Sequence, residues 1–166
     1  TRQYDPPARR SRSISMHYIL DASIGIKLFL REPGTELTEQ IFAGLSEEPP
    51  ARLYVPELFY VECANILWKY VRRFEYPIED ARDHLSDLRQ LDLGVIPTED
   101  LLSMAFDLAL EYEISVYDAS YAAMAGLLEL PLITADQRLA NKMKGSDIDV
   151  RSLDEIAPPN RENPSP

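Results

Sequence analysis

The chain has 166 residues, 45% hydrophobic and 27% charged, a composition that suits one globular domain with a full core. Its net charge of −11 repels the phosphate groups of nucleic acid. The same charge favours cations and basic polypeptides as partners. One cysteine and two histidines exclude an internal disulfide and a typical zinc centre, and no apolar run reaches the roughly 20 residues that span a bilayer. We therefore expect a soluble, cytoplasmic protein with no membrane partner.

Short apolar runs alternate with helical patterns between two polar, proline-containing ends. We predict a disordered leader over 1–15, a domain over 16–157 and a disordered tail over 158–166. The predicted strands are 17–20, 52–55, 92–96, 130–134 and 148–151, and the predicted helices are 23–31, 34–45, 57–73, 77–90, 98–112, 117–129 and 136–143. Strands separated by helices imply βαβ crossovers, so the predicted fold class is α/β, with a parallel sheet covered on both faces.

Four carboxylates lie beside apolar segments where a solvated charge is not expected. Asp21 follows the first predicted strand directly, and Asp136 follows the fourth. Glu62 lies inside an apolar helical segment, and Asp118 opens a helix rich in alanine. Because ligand sites in open parallel sheets lie beyond the carboxyl ends of the strands, all four side chains could meet at one edge.

Each carboxylate also has a structural interpretation. Asp21 and Asp136 could each cap the helix that follows, because aspartate is a preferred capping residue. Asp118 could be a partner of the helix dipole. Glu62 is harder to explain in this way, because a solvated glutamate normally lies opposite the apolar stripe of its helix.

Clustered together, these carboxylates would repel one another. Two like charges about 4 Å apart cost about 4 kcal/mol at an effective dielectric constant of 20. A divalent cation would relieve that repulsion, and hard oxygen donors favour Mg²⁺ or Mn²⁺. Water activated by such a metal can attack phosphorus, so the pattern indicates a metal-dependent reaction on phosphate esters.

Four motifs in chain order resemble those of PIN-domain ribonucleases, and in particular of VapC-type toxins from toxin–antitoxin pairs. They are Tyr18-Ile-Leu-Asp-Ala-Ser23, Val61-Glu-Cys-Ala-Asn65, Tyr117-Asp-Ala-Ser-Tyr-Ala-Ala-Met124 and Leu132-Ile-Thr-Ala-Asp136. Each motif alone is loose, whereas their order and spacing together are fairly specific. The resemblance covers about residues 16–153, and the long leader over 1–15 departs from the usual toxin.

The resemblance implies an α/β/α sandwich with a central, mostly parallel sheet of about five strands. It implies that Asp21, Glu62, Asp118 and Asp136 bind Mg²⁺ or Mn²⁺ and catalyse hydrolysis of RNA by metal-activated water. Ser23 and Thr134 could orient a carboxylate or water. The implied partners are an RNA substrate, a small basic antitoxin and a second copy of the chain in a homodimer.

Basic and aromatic side chains near these motifs are candidates for contact with RNA. For each basic residue an ordinary solvated helix face is the stronger interpretation, and for the two aromatic residues packing against the sheet is stronger than base stacking. The candidates are Lys27, Arg31, Arg138, Lys142, Lys144, Tyr117 and Tyr121.

Other functions remain open at this stage. The same site would serve a housekeeping RNA-processing nuclease without an antitoxin, and an inactive interaction module is a further alternative. A phosphoacceptor domain that uses Asp21 is less convincing, because Ser23 stands where a dehalogenase-type phosphatase needs a second aspartate. The scattered glycines exclude a phosphate-cradling loop.

Overall fold

The computed structural model describes residues 16–156, which form one five-stranded sheet with helices on both faces. All four strand pairings are parallel, and the strand order is β3-β2-β1-β4-β5. The strands are β1 His17–Leu20, β2 Arg52–Pro56, β3 Gly94–Ile96, β4 Leu132–Thr134 and β5 Val150–Ser152. The predicted α/β class and α/β/α sandwich are confirmed, whereas the predicted leader over 1–15 and tail over 158–166 lie outside the described residues.

The helices of the described chain follow the predicted order. They are α1 Ala22–Gly25, α2 Thr35–Ala43, α3 Leu58–Phe74, α4 Ile78–Leu88, α5 Thr98–Tyr112, α6 Val116–Leu128 and α7 Gln137–Lys142. None of the helices within residues 16–156 combines the length and the apolar character that crossing a bilayer demands.

The first two predicted helices are shorter and more irregular than their patterns indicate. The segment 23–31 forms α1, a 3₁₀ turn over Ile26–Leu28 and then irregular chain. Gly34, directly before α2, adopts φ +91°, a left-handed conformation that favours glycine.

Small side chains let the helices approach the sheet and one another. Ala119, Ala122 and Ala123 are fully buried on α6, which packs against α5 and against β1, β2 and β4. A Cβ atom added at Gly25 would lie 2.4 Å from Cζ of Phe59, so this glycine permits the close contact between α1 and α3. As a result, the starts of α1, α3, α6 and α7 lie near the carboxyl ends of the central strands.

Candidate metal centre

Asp21 is a buried carboxylate held by three hydrogen bonds at the end of β1. Its residue exposure is 7%. Oδ2 accepts from the hydroxyls of Thr134 at 2.6 Å and Ser23 at 3.0 Å, and Oδ1 accepts from the backbone N–H of Ser23 at 3.3 Å. Burial raises the pKa of Asp21, the three hydrogen bonds oppose that rise, and the charge of Asp118 adds to it. Asp21 thus caps α1 as well as contributing a negative charge to the site.

Glu62 is the fifth residue of α3 and is half-buried. Its Oε2 accepts a hydrogen bond of 2.5 Å from the hydroxyl of Tyr121 on α6. The pKa of Glu62 is raised to about 7, chiefly by burial and to a smaller extent by the charges of Asp21 and Asp118. The hydrogen bond from Tyr121 acts in the opposite direction. Glu62 therefore experiences the charges of two other predicted ligands.

Asp118 lies in the first turn of α6, where Ser115 fixes its position. The Ser115 hydroxyl donates to Oδ2 of Asp118 at 2.8 Å and accepts from the Asp118 backbone N–H at 3.0 Å. This is a reciprocal cap of the Ser-x-x-acid type, readable in the sequence as Ser115-Val-Tyr-Asp118 but absent from our sequence interpretation. Asp118 raises the pKa of both Asp21 and Glu62, so it is the charge that the other two share.

Asp136 is exposed and caps α7, as its structural interpretation predicted. Its Oδ1 accepts from the backbone N–H groups of Arg138 at 2.8 Å and Leu139 at 3.2 Å. Together with Asp118 it lines a small pocket of about 100 Å³. Asp136 and Asp118 thus face the same pocket. Both backbone N–H groups donate to Oδ1 of Asp136, and neither contacts Oδ2.

Hydroxyl groups connect the ends of β1 and β4. Thr134 is fully buried, and its hydroxyl donates to Asp21 while accepting from the backbone N–H of Asp136 at 3.0 Å. The Ser23 hydroxyl donates to Asp21 and accepts from the backbone N–H of Ala135 at 3.0 Å. These are the contacts expected of residues that orient a carboxylate.

The donor chemistry fits a hard divalent cation. Asp118 raises the pKa of Asp21 and of Glu62 through its charge, Asp21 also raises that of Glu62, and no salt bridge among the described residues reaches any of the four carboxylates. Within residues 16–156 no three acidic, histidine or cysteine side chains already stand in a metal-ligand arrangement. The role of the four carboxylates as metal ligands stays a prediction.

The structure revises several candidates for contact with RNA. Lys27 is not on a solvated face, because it is buried and its Nζ lies 2.8 Å from Oε2 of Glu32. Tyr117 does not pack against the sheet and is 67% exposed, whereas Tyr121 is fully buried and cannot stack on a base. Lys142 forms a salt bridge with Glu113.

Arg138, Arg31 and Lys144 are exposed. Of these, Arg138 lines the pocket that contains Asp118 and Asp136. Arg138 is therefore the basic candidate that the structure places beside the carboxylates.

The fold and the site together define an α/β domain with a parallel five-stranded sheet and with acidic residues after β1 and β4 and on α3 and α6. Residues 18–144 match the family described as PIN domain. The chain belongs to the PIN-domain family, which confirms the resemblance seen in its motifs.

Similar proteins carry related names. The chain is 33% identical over 129 residues to Ribonuclease VapC3 of Pyrobaculum aerophilum, covering 76% of this chain and 95% of that protein. It is 34% identical over 90 residues to Ribonuclease VapC9 of Mycobacterium tuberculosis, covering 54% and 69%.

Solved structures share the fold. PAE2754 from P. aerophilum has a TM-score of 0.60 at 25% identity, covering 86% of this chain and 87% of that one. VapBC2 from Rickettsia felis, bound to a promoter DNA fragment, has a TM-score of 0.61 at 15% identity, covering 82% and 98%. The second likeness concerns the fold alone.

Proposed function

We propose that this protein is a Mg²⁺- or Mn²⁺-dependent endoribonuclease and the toxin of a toxin–antitoxin pair. The observation that carries the proposal is the cluster of Asp21, Glu62 and Asp118, in which Asp118 raises the pKa of both other carboxylates, Asp21 raises that of Glu62, and none forms a salt bridge with a described residue. The names of the relatives, ribonuclease VapC3 and VapC9, support RNA as the substrate.

The four acidic residues serve as ligands, and neighbouring side chains orient them or contact the substrate. Asp21, Glu62, Asp118 and Asp136 would hold the cation, which when bound supplies Lewis-acid stabilisation of phosphate charge and lowers the pKa of water. Ser23 and Thr134 keep Asp21 in one orientation. Arg138 lies at the same pocket and is placed to contact a phosphate group of the RNA, which offsets part of the negative charge around the site.

The direct test is cleavage of labelled RNA by the purified protein. We expect internal cleavage with Mg²⁺ or Mn²⁺ and none in excess chelator, with activity restored when metal is added back. Equal cleavage in chelator would contradict the proposal, as would the absence of cleavage across a transcriptome-wide RNA pool. Sequencing of the new RNA ends would identify the target.

A basic partner suits the charge of this chain. The net charge is −11, and the site adds a local group of carboxylates. Several structures with the same fold are toxin–antitoxin complexes, among them one from Klebsiella pneumoniae with a TM-score of 0.54 at 22% identity. We infer that a small basic antitoxin, whose gene would lie next to that of this protein, inhibits the site by bringing positive charge to it.

Two exposed apolar faces favour a homodimer. On α3, Val61 and Trp68 are seven residues apart on one face and are 72% and 59% exposed. On α5, Leu102, Phe106 and Leu110 form a ridge with a spacing of four residues and are 46%, 56% and 67% exposed. Large apolar side chains exposed in such rows are typical of surfaces that bind protein.

The dimer can be tested by light scattering after gel filtration. The double variant Trp68→Ser/Phe106→Ser is expected to be a folded monomer, because it removes the largest aromatic side chain from each face. Leu127→Ser, which changes an exposed leucine outside both faces, should remain a dimer. A wild-type protein that is monomeric at about 100 μM, well above common dimer dissociation constants, would contradict the dimer.

A further inference from the structure

Tyr121 is the largest fully buried side chain in the described protein, yet its hydroxyl contacts the site. The hydroxyl donates to Oε2 of Glu62 at 2.5 Å and so joins α6 to α3 across 59 residues of sequence. A hydrogen bond to a carboxylate is short and strong when it is sheltered from water. This hydrogen bond therefore connects two helices that both carry predicted ligands.

The Glu62 carboxylate accepts a single hydrogen bond among the described residues, whereas Asp21 and Asp136 each accept more than one. Asp21 accepts three hydrogen bonds, Asp118 is fixed by a cap, and Asp136 accepts two backbone N–H groups. Among the described residues, Tyr121 supplies the one side-chain hydrogen bond that the Glu62 carboxylate accepts. Glutamate also has one more rotatable bond than aspartate, so its carboxylate needs an external contact to stay in place.

Tyr121 lies on the same helix as Asp118, one of the predicted ligands. Tyr121 is three residues after Asp118, so both side chains lie on one face of the helix. Burial and the nearby charges of Asp21 and Glu62 raise the pKa of Tyr121 well above its ordinary value, which keeps the phenol protonated and able to donate. One face of α6 thus carries the predicted ligand Asp118 and also Tyr121, which donates to the predicted ligand Glu62.

We propose that Tyr121 is a positioning residue that fixes the Glu62 carboxylate for metal binding, using Oε2 for its hydrogen bond and leaving Oε1 for the cation. The inference rests on the proposed function, because it assigns a role at the same metal site. Packing against the sheet was the stronger interpretation of Tyr121 from the sequence. The inference adds a second role for this side chain at the metal site.

The test is the affinity for Mn²⁺, measured by calorimetry without RNA. Tyr121→Phe removes one oxygen and keeps the buried ring, and we expect its Mn²⁺ dissociation constant to rise about 10-fold, as is usual when a group that orients a ligand is lost. Tyr117→Phe removes a hydroxyl from the same helix at a residue that is 67% exposed, and it should bind Mn²⁺ as the wild type does. Circular dichroism would verify that both variants are folded.

A double-mutant cycle separates positioning from a general effect on the fold. In a Glu62→Gln background, Tyr121→Phe should leave the Mn²⁺ affinity unchanged, because the carboxylate it positions is absent. The same loss in both backgrounds would overturn the inference. Replacement of Tyr121 by para-aminophenylalanine keeps a donor at this point and should restore wild-type affinity. This variant also keeps the test decisive if Tyr121→Phe does not fold, because weak Mn²⁺ binding by it would overturn the inference as well.

Mn²⁺ binding by the wild type distinguishes a failure of the proposed function from a failure of the role of Tyr121. If the wild type does not bind Mn²⁺, the proposed function itself is wrong. If the wild type binds Mn²⁺ and Tyr121→Phe binds it equally well, only the role of Tyr121 is wrong.

Discussion

Asp118→Asn is expected to lower metal-dependent RNA cleavage by about 10³-fold while the protein stays folded. Asp118 is the charge that acts on both Asp21 and Glu62, so its neutralisation removes the shared member of the cluster. A loss of this size corresponds to about 4 kcal/mol of transition-state stabilisation, within what a metal ion and its ligands supply. The asparagine keeps the backbone N–H that Ser115 accepts, so the start of α6 should remain intact.

The matched control for this variant is Asp107→Asn. Asp107 is an exposed aspartate on α5 and is not one of the four predicted ligands. We expect its initial cleavage rate to equal that of the wild type. Wild-type cleavage by the Asp118→Asn protein, with an unchanged melting temperature, would mean that catalysis occurs elsewhere.

Without added metal, the protein is expected to become less stable as the pH rises from about 5 to about 8. The pKa of Glu62 rises from 4.5 to about 7 on folding, and that of Asp21 rises too. Between the unfolded and folded pKa values the folded protein binds more protons, so the free energy of unfolding falls with increasing pH. Mn²⁺ at pH 8 should reverse the loss, because it binds the ionised carboxylates of the folded protein.

Thermal melts at several pH values, with and without Mn²⁺, would measure this effect. At a metal concentration 100 times the dissociation constant, binding adds about 2.7 kcal/mol, or about 5–10 °C in melting temperature for a domain of this size. Glu62→Gln isolates the contribution of Glu62 from that of other groups and should flatten the pH dependence. A wild-type melting temperature that rises steadily from pH 5 to pH 8 without metal would contradict the expectation.

The order of strands and helices could be predicted because hydrophobic periodicity is a local signal. The same signal placed Asp21 and Asp136 after β1 and β4, and general rules for parallel sheets then put them at one edge. The end of α1 at Gly25 was missed, because the apolar pattern of the predicted helix 23–31 continues past this residue.

Contacts between distant residues were the part that the sequence could not supply. The burial of Lys27 depends on Glu32 and on Tyr70, whose hydroxyl also donates to Glu32. The contact between Tyr121 and Glu62 joins two helices, and Tyr121 alone fits an ordinary apolar helix. In contrast, the cap formed by Ser115 is local, and its motif could have been recognised.

Anomalous scattering from crystals soaked in Mn²⁺ would test most directly whether the distant carboxylates form one metal site. We expect a manganese peak at the carboxyl edge of β1 and β4, within about 2.0–2.3 Å of oxygens from at least two of Asp21, Glu62 and Asp118. A fully soaked crystal with no peak there, or with manganese bound only at unrelated surface carboxylates, would contradict the account.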